Sequence, residues 1–317
     1  MLMKNLFILC FCLMNAFQVS AQLNLKDSTA QIVAYWNKGE KYCYNYAAQT
    51  IEIKGTDTTE LSYSESKFEL EVIDSSANGY LINYTKLSEA VSISDEKSPI
   101  ASLLKRVANI GNSISITFKT NEYGSLQEIV NFDEYKNSLI SQLETLIKEM
   151  EKELKDKTTR EALNTAIAPF MSDAYVYKSI EPITSLFSFH GYKFKLNERY
   201  TDNIQVASPF EQGKTLDGEL QRYVAEFNPE TTWTTFHSVT RYDKEQLKMT
   251  TLHYINSLLP ENQKITSTSE VPEMSMDSYT SFTIHLGTGW PGYASFLQET
   301  GEPTKTKLKK WVIEIEL

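Results

Sequence analysis

Cysteine is scarce in this chain, and the shortage is sharper than its count of three suggests. Cys10 and Cys12 lie in an apolar run, residues 6–14, that follows Lys4, and the segment closes on Val19-Ser20-Ala21. That is the pattern of a secretory leader cut before Gln22. The run is too short to span a bilayer as a stable helix, and no second apolar stretch approaches spanning length. Residues 1–21 are therefore expected to leave, delivering an exported protein to the periplasm or the medium, with no transmembrane segment in the mature chain. Cys43 then stands alone. A single thiol excludes an intramolecular disulfide, so packing has to hold the fold, and Cys43 reads as a small buried hydrophobe rather than a nucleophile. A lipid-modified start is not expected, because Cys10 follows Phe7-Ile8-Leu9 instead of the small residues of a cut site.

Positive charge is also in deficit. Lys and Arg number 31 against 41 Asp and Glu, a formal net charge of −10. Such a surface repels phosphate backbones and argues against nucleic acid as a partner. The four histidines, His190, His237, His253 and His285, are far apart, with no His-x-x-x-His and no cysteine pair, so no metal site is expected. No Gly-x-Ser-x-Gly elbow occurs. Gly287-Thr288-Gly289, followed by Trp290-Pro291, reads as a turn rather than a phosphate loop. No Asp-rich calcium loop is present. These absences leave no catalytic residue to name and no cofactor to expect. Carboxylates are plentiful, but a hydrolytic pair is defined by its separation in space, which sequence does not reveal.

What the chain has is tyrosine, 18 residues of it, and alternation. Tyr42, Tyr44 and Tyr46 fall on one face of a strand that opens after Gly39. Phe68, Leu70 and Val72 alternate next, and Asn78-Gly79 turns that strand into Tyr80–Tyr84. A short helix is predicted over 100–110 behind Ser98-Pro99. Ile114, Ile116 and Phe118 form another strand, turned by residues 121–124 and returned by 126–130. The spacing predicts a long helix over 133–154, its stripe made of Leu139, Leu143, Leu146, Met150 and Leu154. Thr158 and Glu161 then suggest a capping box and a second helix ending near Ala168. A strand over 233–242 leads to a helix over 243–259 with the stripe Leu247, Thr251, Tyr254, Ile255 and Leu258. Residues 281–286 and 311–317 are the last strands, and 261–277 and 302–307 read as loops.

The order of strand, hairpin, helix and hairpin occurs twice. The chain therefore divides into a leader (1–21), an N-terminal β-rich half (22–131), a central helical segment (132–185) and a C-terminal β-rich half (186–317). In this plan Gly191 to Leu196, with Tyr192 and Phe194, echoes Gly39 to Tyr44. The fold expected is α+β: one large, curved antiparallel sheet built from two related halves, with helices packed on one face.

The Ser20-Ala21-Gln22 cut site, the strand start Lys38-Gly39-Glu40-Lys41-Tyr42, and the Phe118–Gly124 hairpin before a long helix resemble secreted α+β proteins of unassigned activity from Bacteroidota. At the level of fold the plan is also similar to periplasmic lipoprotein carriers, where a curved sheet shelters acyl chains. That resemblance implies a sheltering sheet and carries no catalytic residues. The expectation is a non-enzymatic binding or carrier protein for an apolar or amphiphilic small molecule, its groove lined by Tyr42, Tyr44, Tyr46, Tyr192 and Phe194. The alternatives are a cell-envelope hydrolase using paired carboxylates, or a structural envelope component.

Overall fold

The computed structural model describes residues 23–24, 27–93, 105–107, 110, 114–153, 167, 171–211, 213–271, 274–302 and 304–316. The leader and the capping box at Thr158 fall outside these, and of the helix expected to end near Ala168 Ile167 is described and is helical. Of the helix expected over 100–110, residues 105–107 and 110 are described; 105–107 are helical and Ile110 is in a turn.

The dominant element is an open, curved antiparallel sheet of eleven strands. Its N-terminal part is a meander of β3 (Lys41–Lys54), β4 (Asp57–Ser76), β5 (Gly79–Ile93), β6 (Ser115–Thr120) and β7 (Leu126–Ile129). Its C-terminal part is a second meander of β9 (Arg199–Ala207), β10 (Thr215–Phe227), β11 (Trp233–Tyr242), β12 (Ser275–His285), β13 (Pro291–Glu302) and β14 (Lys305–Ile315). The order across the sheet is β7-β6-β5-β4-β3-β14-β13-β12-β11-β10-β9. The two meanders thus run in the same sense and meet where β3 pairs with β14, from Tyr44 opposite Ile315 to Lys54 opposite Lys305.

The β4–β5 hairpin turns on Ala77-Asn78, one residue earlier than the Asn-Gly pair suggests, since Ser76 pairs with Gly79. Gly79 closes the turn at φ +130°, and a Cβ there would stand 2.0 Å from the Thr120 carbonyl oxygen. The strand β4 continues well past the expected hairpin at its N-terminal end. Lys305–Lys307, expected as loop, belongs to β14, and only the tip of that segment turns.

A separate three-stranded sheet joins β1 (Leu23–Asn24), β2 (Thr29–Gln31) and β8 (Lys193–Lys195). Here the expected equivalence of the 191–196 and 39–44 segments fails. The second is a long strand at the centre of the main sheet, whereas the first supplies three residues that pair with β2. The chain after β2 then threads between the meanders. Ala34 N–H donates to Tyr123 O at 2.9 Å, and Tyr35 N–H to Thr288 O at 3.0 Å. Gly289, at φ +76°, lets it pass, because a Cβ there would come within 2.3 Å of Val33 O.

Helix α1 (Phe132–Glu153) follows β7, with Asp133 and Glu134 in its first turn complementing the dipole. Leu139, Leu143 and Leu146 are buried as their spacing predicts. Helix α2 (Asp173–Ser185) was not expected as a helix of its own; Ser172 caps it by accepting from Tyr175 N–H, and Pro182 sits inside it. The two helices are tied by Phe132 stacked on Tyr177 at 4.5 Å and by a Lys136–Asp173 ion pair. Tyr135, Leu139, Val176, Ile180 and Ile183 from these helices join Tyr44, Phe68, Val72, Ile82, Phe236 and Phe282 of the sheet in one core.

Helix α3 (Lys244–Leu258) is capped by Asp243, which accepts from Gln246 N–H at 2.8 Å. Its buried residues are Leu247, Thr250, Thr251 and Leu252. The expected stripe is right at its start and wrong at its end. Leu258 and Tyr254 are exposed, and Tyr254 stacks instead on Phe210 of the β9–β10 connection at 5.0 Å. The C-terminal half of the helix therefore stands off the sheet.

Candidate functional site

The face of the sheet beneath α1 and α2 can be followed row by row from the strand register. Tyr44 of β3 pairs with Phe68 of β4 and stacks on it at 5.3 Å; Phe68 in turn meets Tyr84 of β5 at 5.3 Å. All three are buried, and this row is solid core. One step along the strands the same face carries Tyr46, Ser66 and Glu89. The next row is Val91, Ser64, Ala48, Trp311 and Phe296, where Trp311 and Phe296 stack at 5.7 Å. A further row brings Ser62, Thr50, Lys309 and Gln298.

The side chains therefore shrink in the middle of the face. Ser66, Ser64 and Ala48 stand where a Leu or Phe would be needed to meet the helices above. The result is a cavity of about 940 Å³, floored by β5, β4, β3, β14, β13 and β12 and roofed by α1, α2 and the Ala207–Pro209 stretch after β9. That volume lies at the upper end of small-molecule sites.

The lining is mixed in character. Phe68, Leu139, Leu143, Ile180, Ile183, Phe296 and Trp311 are apolar; Tyr46, Tyr84, Tyr135 and Tyr175 present hydroxyls. Burial pushes the Tyr46 and Tyr84 phenols far above their usual value, and the nearby Glu89 carboxylate adds to the rise. Burial also raises Tyr135, and it lifts Tyr175 to about 12. The four hydroxyls are thus neutral hydrogen-bonding groups throughout the physiological range.

One ion pair is set into the wall. Lys86 Nζ lies 2.6 Å from Glu89 Oε2 and donates to Ile110 O at 3.0 Å, with the two side chains only 14% and 25% exposed. Glu181 of α2 is the second carboxylate on the cavity.

Of the five residues expected to line a groove, Tyr46 borders this cavity. Tyr44 is one row deeper, with its hydroxyl donated to Pro291 O at 2.9 Å. Tyr42 packs on Trp290 at 4.8 Å. Phe194 is buried on β8 among Phe189, Tyr200 and Phe236. Tyr192 is exposed beneath the Arg222 guanidinium, 4.6 Å from its ring. Phe194 and Tyr44 share the core without sharing a strand type or a sheet.

The serines at 62, 64 and 66 were missed as site residues. Their signal was present: β4 alternates Ser62, Ser64, Ser66, Phe68, Leu70 and Val72 on one face, small hydroxyls giving way to large apolar groups. Cys43 is half-buried on the opposite face of β3, not in the core. His190 is buried with Nε2 against Gly289 O at 2.8 Å, and His285 is held between Thr232 and Thr288, 3.0 Å from each hydroxyl. Among the described residues no three His, Cys, Asp or Glu side chains gather where they could hold a metal ion, and no helix is long and apolar enough to cross a membrane.

No protein-family profile matches the chain, and no curated protein matches it. Among solved structures the chain is similar to one titled for lipid–protein interactions in lipovitellin, with 10% sequence identity and a TM-score of 0.45. The match covers 89% of this chain and 25% of the lipovitellin chain. This chain spans about a quarter of that protein's length, and a likeness so distant says nothing about what the cavity holds.

Proposed function

We propose that this is an exported binding or carrier protein for an amphiphilic small molecule, which lies between the curved sheet and helices α1 and α2. The observation that carries the reading is the patch of small residues, Ala48 and Ser64 in one row and Ser66 in the next, beneath a roof of apolar helix faces, leaving a hollow of about 940 Å³. Protein interiors are otherwise close-packed, so an open hollow of that size between sheet and helices is room for a ligand. Apolar walls favour a chain or ring system, while neutral tyrosine hydroxyls and serines offer hydrogen bonds to a polar end. Export rests on the leader at 1–21.

The reading is tested with a polarity-sensitive fluorescent fatty-acid analogue titrated against the mature protein. Saturable binding is expected, abolished by Ser66→Trp, whose indole fills the space. Absence of binding by the wild type, or equal binding by a folded Ser66→Trp variant, would sink it.

A further inference from the structure

Four tyrosines line the cavity, and the hydroxyls of two are already engaged. Tyr135 is hydrogen-bonded to Ser179, and Tyr175 also has a partner. The Tyr46 and Tyr84 hydroxyls make no hydrogen bond among the described residues. Tyr84 is only 7% exposed, so its phenol has little water to turn to. A buried hydroxyl without a partner is costly, and native structures hold few of them. Ser66, in register with Tyr46, adds a third small hydroxyl at the same place.

We infer that the ligand's polar end is an uncharged, hydroxyl-bearing head bonded to Tyr46 and Tyr84, and that its apolar chain lies across the strands over Ala48 toward Trp311, Phe296 and Met276. The inference rests on the binding reading above and gives the ligand a head chemistry and an orientation. Neutral phenols each donate one hydrogen bond and accept others, and a hydroxyl head answers both needs.

The charges on the cavity disfavour an ionic head at that place. They are Lys86, Glu89, Glu181, Lys309 and Lys310. Glu89 stands in the row of Tyr46 and Ser66, where Lys86 holds it at 2.6 Å while donating also to Ile110 O. A head of either sign beside the phenols meets one like charge of this pair and must shed its water as well. Glu181 is exposed and keeps its own hydration. Lys309 and Lys310 are exposed too, and Lys309 already has a partner. Thr50, which pairs with Lys309, is four residues from Tyr46 along β3, roughly 13 Å away.

Apolar surface continues across the sheet instead. From β3 to β12 is three strand spacings, roughly 14 Å, and that stretch is lined by Ala48, Trp311, Phe296, Met276 and Pro209.

The experiment compares hexadecanol, palmitate and hexadecylamine at neutral pH by displacement of the fluorescent probe, on wild type, Tyr84→Phe and Tyr46→Phe/Tyr84→Phe. These share one chain length and differ in the charge of the head. In the wild type the alcohol should displace the probe at concentrations about tenfold lower than either ion. Both variants should narrow that preference, and the double variant should lose it, while all three compounds still displace the probe. Without ligand, Tyr84→Phe should be at least as stable as the wild type, because it removes a buried hydroxyl that bonds to nothing. Palmitate or hexadecylamine matching the alcohol on the wild type overturns the uncharged head and leaves the amphiphile reading standing. Retention of the preference by folded Tyr46→Phe/Tyr84→Phe overturns the placement of the head, and a marked loss of stability in Tyr84→Phe overturns the unpartnered state of its hydroxyl. Failure of all three compounds to displace the probe overturns the binding reading itself.

Discussion

The Tyr44 hydroxyl donates to the Pro291 carbonyl at 2.9 Å from a fully buried position, reaching over the end of β14 to tie β3 to β13. It crosses the junction at which the two meanders become one sheet. Tyr44→Phe keeps the ring and its stacking on Phe68 but leaves a buried carbonyl without that donor. The expected cost is about 1–3 kcal/mol in chemical denaturation. Denaturation at wild-type midpoint would show that the junction is held by the β3–β14 ladder alone.

Helix α1 supports a paired prediction. Leu146 is 8% exposed and packs with Val107, Leu143 and Ile167; it does not itself line the cavity. Leu146→Ala should cost roughly 2–5 kcal/mol. Lys152, exposed on the other side, should cost under about 0.5 kcal/mol when truncated to Ala. Equal, small losses at both positions would mean that the helix does not lean on the second core cluster.

The legibility of the sequence follows from where each element finds its partners. The α1 stripe was readable because its periodicity is local and one-sided. So was the end of β14, where Trp311, Ile313 and Ile315 fall on one face and Val312 and Glu314 on the other. Helix α2 was hidden by Pro182, which reads as a breaker because past the first turn a proline takes away an N–H that the helix would use. The strand β10 was hidden by its charges and by Gly218, which is small because a Cβ would come within 2.8 Å of Arg241 O. The outer half of β4, rich in Ser, Thr and Glu, looks like loop until β3 and β5 pair with it on both sides. The site was half legible for the same reason. Alternation put Tyr42, Tyr44 and Tyr46 on one face, but which of them borders a cavity depends on small residues of neighbouring strands and on helices far away in sequence.

A buried histidine gives the pH dependence. Burial lowers His190 from the ordinary 6.5 to about 4, with hydrogen bonds to Gly289 and Phe187 opposing the fall. Above pH 6.5 the imidazole is neutral in both states and contributes no slope. Between pH 6.5 and 4 the unfolded chain binds a proton that the native state refuses, so stability falls as the pH falls and levels off below that window, a loss of about 3 kcal/mol. Urea midpoints between pH 7 and 5, where most carboxylates remain ionised, should decline in wild type and more shallowly in His190→Gln. Identical slopes would mean that the ring is protonated in the folded protein.

The Lys86–Glu89 pair is the remaining test of how the cavity wall is built. Both groups are largely removed from water, at 14% and 25% exposure, and each compensates the other at 2.6 Å. A lone charge left in such a place is much worse than no charge, because the desolvation cost persists after the attraction is gone. Lys86→Met alone should therefore destabilise by about 3–5 kcal/mol, leaving Glu89 beside Tyr46 and Tyr84 without its cation. Lys86→Met/Glu89→Met should recover most of that loss, since methionine fills similar space and neither charge remains. The double variant should also bind hexadecanol at least as well as the wild type, the wall now being more apolar. If the single and double variants lose equal stability, the lysine matters through its bond to Ile110 O, and the pair is a support for that stretch of backbone instead of a compensated charge in the wall.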